Sequence, residues 1–297
     1  MAAVLAAAAA LPPGPLDFKA LEMRMEPREH RVFLDGDVHL SRSDLTVTGQ
    51  HALVEYEETT PPPRRKRSKQ PAAAMLGGQS VRRFEVDGNV HVERGARTAD
   101  GEHGVVDIQT QTIVLTGTPE APPVLRDKGE TLSGERILFH LDNEDVEVWR
   151  PKLVLHRAVA TEPKPDAPLR VEAARLVLHK AARLARFTED VIVRRGDTTV
   201  RSPRMDAKYD GDGQVTRLEL RGGVDLRQGD RRATGENADY DAKTKEVVLT
   251  GDPKLYDRGD ILSGQRIDVV LDSHEVRVDQ ARGKLRPEAH KDEEARP

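Results

Sequence analysis

The chain has 297 residues, more than the roughly 100–200 of an ordinary single domain, so two domains or a repeat array is expected. A formal net charge of −4, with 33% charged and 37% hydrophobic residues, points to a folded chain and gives no basis for general binding to nucleic acid or anionic membranes. The absence of cysteine excludes a disulfide framework, thiol catalysis and Cys-ligated zinc, and 3% aromatic residues leave a core to be built from Val, Leu, Ile and Ala.

In chain order, the apolar run Ala2 to Leu11 is shorter than the ~20 residues needed to span a bilayer. It has the character of a secretory h-region, with Ala8-Ala9-Ala10 as a small-x-small cleavage pattern but no basic n-region. Residues 1–15 are therefore expected to be signal-like or a disordered Ala-rich start, and export is the favoured reading. Arg31 to Leu40 reads as strand, Gly turn and strand around Asp35-Gly36-Asp37, and Thr46 to Tyr56 continues in β-type residues. Residues 59–79, with Pro61-Pro62-Pro63-Arg64-Arg65-Lys66-Arg67, cannot bury apolar surface and are expected to be a disordered basic insertion, a solvated loop.

Strands resume at Val81 to Val92 and run to Trp149. Residues 157–168, with Pro163, Pro165 and Pro168, read as a linker. Near the end, Val247 to Leu255 reads as strand, tight turn and strand around Gly251-Asp252-Pro253, followed by Leu262-Ser263-Gly264-Gln265-Arg266-Ile267. Both stretches have earlier copies, Ile113 to Pro119 and Leu132-Ser133-Gly134-Glu135-Arg136-Ile137. Residues 286–297 are expected to be a disordered charged tail.

Most of the chain repeats. Leu16, Asp37, Val38, Thr46 and Tyr56 match Leu169, Asp190, Val191, Thr199 and Tyr209 at an offset of 153. Beyond the basic loop, Val81, Gly88, Val90, Gly101 and Thr116 match Val215, Gly222, Val224, Gly235 and Thr250 at 134, a drop of 19 that is about the length of the loop. After extra residues around Glu120 to Pro123 the offset is 130, pairing Leu125, Ser133, Ile137 and Val148 with Leu255, Ser263, Ile267 and Val278. The expected modules are 16–156 and 169–285, each all-β, with strands stacked along an axis into an elongated array. Glu172 to Ala185 has helical propensity, but its counterpart in the first copy contains Pro27, so a strand pair is expected there.

These motifs resemble the OstA-like (LptA) family of periplasmic lipopolysaccharide transport proteins. The resemblance rests on Phe187-Thr188-Glu189-Asp190-Val191-Ile192-Val193, on Ala238-Asp239-Tyr240-Asp241 with Val247 to Gly251, and on Leu262 to Ile267, in that order and twice over. It implies two tandem modules of an elongated, twisted β-jellyroll with an open apolar groove that shields the acyl chains of lipid A between the inner and outer membranes. It implies a periplasmic location and lipopolysaccharide as ligand. The implied partners are an LptC-like inner-membrane Lpt complex and an LptD-like outer-membrane translocon, joined by edge-strand addition, with head-to-tail self-association also open. The tandem arrangement and the basic loop depart from the family pattern.

Alternation of side chains along strands independently marks an apolar lining. Val38 and Leu40, Val90 and Val92, Val191 and Val193, and Val224 and Leu226 share faces, as do Ile137, Phe139 and Leu141 and the matching Ile267, Val269 and Leu271. Either they line a lipid groove or they fill a closed core; scarce aromatics favour the groove. The first strands, with Val32 and Leu34, and the last, with Val276 and Val278, are expected to be the edges that meet partners. No phosphate loop, nucleophile elbow or zinc-protease motif is present, and the scattered histidines His39 and His91 have Ile192 and Asp225 as counterparts, so no metal, cofactor or catalytic site is expected. A structural β-solenoid scaffold with a filled core is the alternative function; a carbohydrate-active β-helix enzyme lacks a repeated carboxylate cluster.

Overall fold

The computed structural model describes residues 17–42, 45–58, 79–127, 130–155, 167–270 and 275–284. The signal-like start, the basic insertion through residue 78, most of the linker, Leu271 and the charged tail lie outside the described residues.

The described residues form 24 strands and no helix. The first twelve are β1 (Asp17–Lys19), β2 (Glu22–Glu26), β3 (Arg31–Arg42), β4 (Leu45–Glu58), β5 (Gln79–Arg94), β6 (Arg97–Asp107), β7 (Thr112–Thr116), β8 (Val124–Asp127), β9 (Glu130–Ser133), β10 (Arg136–His140), β11 (Val146–Trp149) and β12 (Lys152–Leu155). The same order follows in β13 (Leu169–Glu172), β14 (Arg175–His179), β15 (Leu184–Arg195), β16 (Thr198–Tyr209), β17 (Val215–Gln228), β18 (Arg231–Asp241), β19 (Glu246–Thr250), β20 (Lys254–Asp257), β21 (Asp260–Ser263), β22 (Arg266–Val270), β23 (Glu275–Asp279) and β24 (Arg282–Lys284). Glu172 to Ala185 is strand, with β14 and β15 paired through a turn, so cross-strand packing overrides helical propensity there.

All pairings are antiparallel, and they sort the strands into two layers. In the first, β2, β3, β4, β5, β6, β7, β10 and β11 follow one another and continue into β14, β15, β16, β17, β18, β19, β22 and β23. In the second, β1 leads through β3–β6 to β8, β9 and β12, and on through β13 and β15–β18 to β20, β21 and β24. The long strands belong to both layers: one half of each pairs in the first and the other half in the second. Their inward faces meet in one apolar cluster that includes Val38, Ile137, Phe187 and Ile267.

The crossing between layers explains the repeated glycines. Pairing register breaks between Asp35 and Val38, between Asp87 and Val90, and at the same places in the second copy, Thr188/Val191 and Arg221/Val224. Gly36-Asp37 and Gly88-Asn89 sit in these breaks with positive φ, between 45° and 79°. The stretch around Gly36 is thus a bulge that bends one strand from one layer into the other, where the sequence suggested a turn between two strands. Gly251-Asp252 does stand between two strands, as the sequence suggested, but they form no hairpin: β19 and β20 both pair with β18 and not with each other.

Position 36 also shows how the copies trade residues. A Cβ on Gly36 would lie 2.8 Å from Leu21 Cδ1, whereas the second copy carries Glu189 at φ 62°, opposite the smaller Ala174. The bridging bond is retained: the Leu21 N–H donates to the Gly36 carbonyl at 2.9 Å, and the Ala174 N–H to the Glu189 carbonyl at 2.9 Å. Gly36→Glu is expected to cost about 2–3 kcal/mol from left-handed backbone plus overlap. Leu21→Ala alone should cost under about 0.5 kcal/mol because the side chain is 75% exposed, and together with Gly36→Glu it should recover about 1 kcal/mol, measured as a urea double-mutant cycle.

Candidate functional site

The interior between the layers is the site the fold builds. Val38, Leu40, Val90, Val191 and Val224 are buried on the second layer, and Ile137, Phe139 and Ile267 on the first, with Leu141 buried just past β10. Val92, Val193, Leu226 and Val269 are half-buried against the same cluster. Leu271 lies outside the described residues. A Cβ on Gly104, in the first layer, would touch both Leu115 Cδ2 and Val90 Cγ1 at 3.3 Å, which places the two layers in side-chain contact. The lining side chains are buried along the first copy and become more exposed toward the end of the second.

The change is seen by comparing equivalent positions. Leu125, Leu132 and Val148 are at most 2% exposed, whereas their counterparts Leu255, Leu262 and Val278 are half-buried; Val146 is fully buried, and its counterpart Val276 is 39% exposed. The cause is topological. In the middle of the chain β11 is covered by β14 and β12 by β13, whereas at the end β23 pairs only with β22 and β24 only with β21 among the described residues. The start is the mirror case: Leu176 is 1% exposed under β11, but its counterpart Met23 is 43% exposed.

The structure corrects one expectation about the edges. Val32 and Leu34 are not on an edge strand: β3 is flanked by β1 and β2 on one side and β4 on the other, and both side chains are 1% exposed. Among the described residues the edges at the start are β1 and β2. Sequence alternation marked β3 as apolar, and the loose alternation of Leu16 to Met25 fits β1 and β2, but nothing in the sequence showed that these two short, polar strands would cover β3. Val276 and Val278 do lie on the terminal strand β23.

The junction between the copies is continuous in both layers. Val146 faces Leu178 and Val148 faces Leu176 in one; Leu153 faces Val171 and Leu155 faces Leu169 in the other. On the outer face, Trp149 lies between Arg136 and Arg175, whose guanidinium carbons are 5.0 and 5.3 Å from its ring. Burial raises the pKa of Glu147, but the Arg175 guanidinium and His140 beside it outweigh that and hold the carboxyl below its usual range. His179 Nδ1 lies 2.9 Å from Asp145, and the Lys180 N–H donates to the same carboxylate at 3.1 Å.

Outer faces are laced with charge. Asp206 accepts from Arg186 at 3.0 and 3.1 Å and from Arg204 at 3.3 and 2.8 Å; burial pushes its carboxyl up, and the two guanidinium groups bring it below its ordinary value. A concavity of about 1020 Å3 lies where the layers meet in the second copy. Its lining mixes charged residues such as Asp190, Arg201, Asp225 and Arg232 with the apolar Val191, Ile192 and Val224. The histidines His39 and His91 are engaged locally, His39 Nδ1 2.9 Å from the Asp37 carbonyl and His91 Nδ1 2.6 Å from Asp100.

Comparison with known proteins gives three findings. The family described as LptA/(LptD N-terminal domain) LPS transport protein matches residues 18–145 and again 170–275. An uncharacterized protein of Rhizobium meliloti (strain 1021) is 26% identical over 129 residues, which is 40% of this chain and 69% of that protein. LptH of Pseudomonas aeruginosa, the LptA-homologous periplasmic component of its lipopolysaccharide transport device, is 19% identical with a TM-score of 0.38, over 41% of this chain and 98% of that one. The two family matches fall one on each twelve-strand half and together take in most of the chain. The chain therefore belongs to the LptA/(LptD N-terminal domain) family of LPS transport proteins.

Proposed function

We propose that this protein is a periplasmic conduit that carries lipopolysaccharide with its lipid A acyl chains between the two layers, and that it bridges inner- and outer-membrane components through its end strands. The observation that carries the reading is the single apolar interior, which passes from one module to the next without a polar break at the junction. Each methylene moved from water into it contributes roughly 0.8 kcal/mol, so a lipid with several acyl chains needs no catalytic group to be held. The interior loosens at the β23–β24 end, and the layers part there to admit or release the lipid. LptC-like and LptD-like modules are the partners this reading assigns to the two ends, by strand addition.

A photoreactive side chain at Ile267 is expected to crosslink lipopolysaccharide, and Val269→Arg, two residues along the same inward face, is expected to abolish the crosslink. Undiminished labelling in the Arg variant would place the lipid elsewhere. The tight packing around Val38 and Ile137, each fully buried, favours a second reading, a scaffold whose core is filled by its own side chains. In that case the protein purified from bacterial membranes would carry no lipid in native mass spectrometry.

A further inference from the structure

The internal junction supplies a template for how either end of this chain would meet another strand pair, and that template carries a charge pattern. Continuing its register to the outermost described strands places Val276 opposite Met25 and Val278 opposite Met23 of a second copy, with Gly283 opposite Phe18. The inward side of such a contact is apolar and fits. The outward side does not. Glu275 would face Glu26, Arg277 would face Arg24, and Asp279 would face Glu22, while in the other layer Arg282 would face Lys19.

We infer that the two ends of this chain are coded against each other: the tail edge refuses its own head and takes the first strands of a different module. That module would present a basic, an acidic and a basic residue opposite Glu275, Arg277 and Asp279, and an acidic one opposite Arg282. The inference rests on the proposal that the ends join by strand addition. Like charges directly opposite on neighbouring strands destabilise a pairing, and opposite charges stabilise it. The internal junction obeys that rule, with Asp145 against His179 at 2.9 Å and Lys152 opposite Glu172.

Two features of a self-contact pull the other way, and neither reverses the balance. Lys284 would face Asp17, a single favourable pair. Diagonal neighbours such as Arg277 and Glu22 are opposite in sign, but diagonals are more distant than direct partners. Both arginines are also already engaged along their own strands, Arg277 with Glu275 at 2.9 Å and Arg24 with Glu26. Heads and tails that repel their own kind would keep the copies from forming filaments and leave the tail free for a foreign partner.

The test is assembly of the full chain with a recoded head: Lys19→Glu, Glu22→Lys, Arg24→Glu and Glu26→Lys. Because the chain has no cysteine, Met23→Cys with Val278→Cys in the same background reports head-to-tail pairing as a disulfide ladder. The unaltered edges are expected to stay monomeric in sedimentation, and the recoded head to assemble with a dissociation constant at least about tenfold lower, with the ladder appearing. Reversing the tail as well, by Glu275→Lys, Arg277→Glu, Asp279→Lys and Arg282→Glu, should return the chain to monomer. Assembly of the unaltered chain as tight as that of the recoded one would overturn the code and leave strand addition standing. No assembly by any variant would overturn both the code and end-joining, while lipid crosslinking at Ile267 would still judge the conduit separately.

Discussion

Leu176→Asp is expected to cost about 3–5 kcal/mol and to split one unfolding transition into two, because it leaves an unpaired carboxylate where the modules are sealed. Leu176 is 1% exposed and sits between Val148 on one neighbouring strand and Phe187 on the other. Among the described residues the modules are joined by two short strand pairs, β11 with β14 and β12 with β13. A charge in one of them loosens the seal without removing either module's own pairings. Trp149 is the only tryptophan and lies on this junction, so its fluorescence should change in the earlier transition, with circular dichroism following the rest. The matched control is Met23→Asp, the same place in the first copy: 43% exposed, it should cost under about 0.5 kcal/mol. Equal costs at the two positions would mean that the junction is not a buried interface.

The Ser-Gly-Glu/Gln-Arg motif yields the second large effect, and the copies differ in it for a physical reason. A Cβ on Gly134 would lie 2.5 Å from both the Trp149 carbonyl oxygen and Val148 Cγ1; on Gly264 it would lie 2.4 Å from the Asp279 carbonyl oxygen. The glycine lets the next strand's carbonyl come close enough to accept from the following N–H, that of Glu135 at 2.8 Å and of Gln265 at 2.9 Å. At Gly134 the crowded strand β11 is held from behind by β14, so it cannot retreat. At Gly264 the crowded strand β23 is an edge and can move outward. Gly134→Ala is therefore expected to cost about 3 kcal/mol and Gly264→Ala about 1 kcal/mol, read from urea midpoints.

Much of this architecture was legible in the repeat. The offsets of 153 and 134 that align Val38 with Val191 and Val90 with Val224 also align the register breaks, because each bulge keeps its place in both copies even where Glu189 stands for Gly36. Alternation marked Val38, Ile137 and Ile267 as inward-facing, since a strand puts every second side chain on one face. Two things were not legible. Gly36-Asp37 looks identical in sequence whether it closes a hairpin or bends one strand, because both need positive φ; only the pairing partners separate the cases. Which strand forms the edge depends on what covers it. Val32 and Leu34 are shielded by β1 and β2, whose sequences Asp17-Phe18-Lys19 and Glu22-Met23-Arg24-Met25-Glu26 are short and largely charged. Charged short edges are how sheets avoid indiscriminate pairing, so the strands hardest to see in the sequence are the ones that meet partners.

The central claim is that lipid occupies one interior shared by both modules. Photoreactive phenylalanine analogues at Phe139 and Phe187 test it, because those side chains are 5% and 1% exposed and stand on strands that flank the junction. Phe33, on the outer face beneath Arg24 at 4.2 Å, serves as the control. Lipopolysaccharide should label both interior positions and leave the Phe33 position unlabelled; labelling at Phe33 with none at Phe139 or Phe187 would contradict the claim.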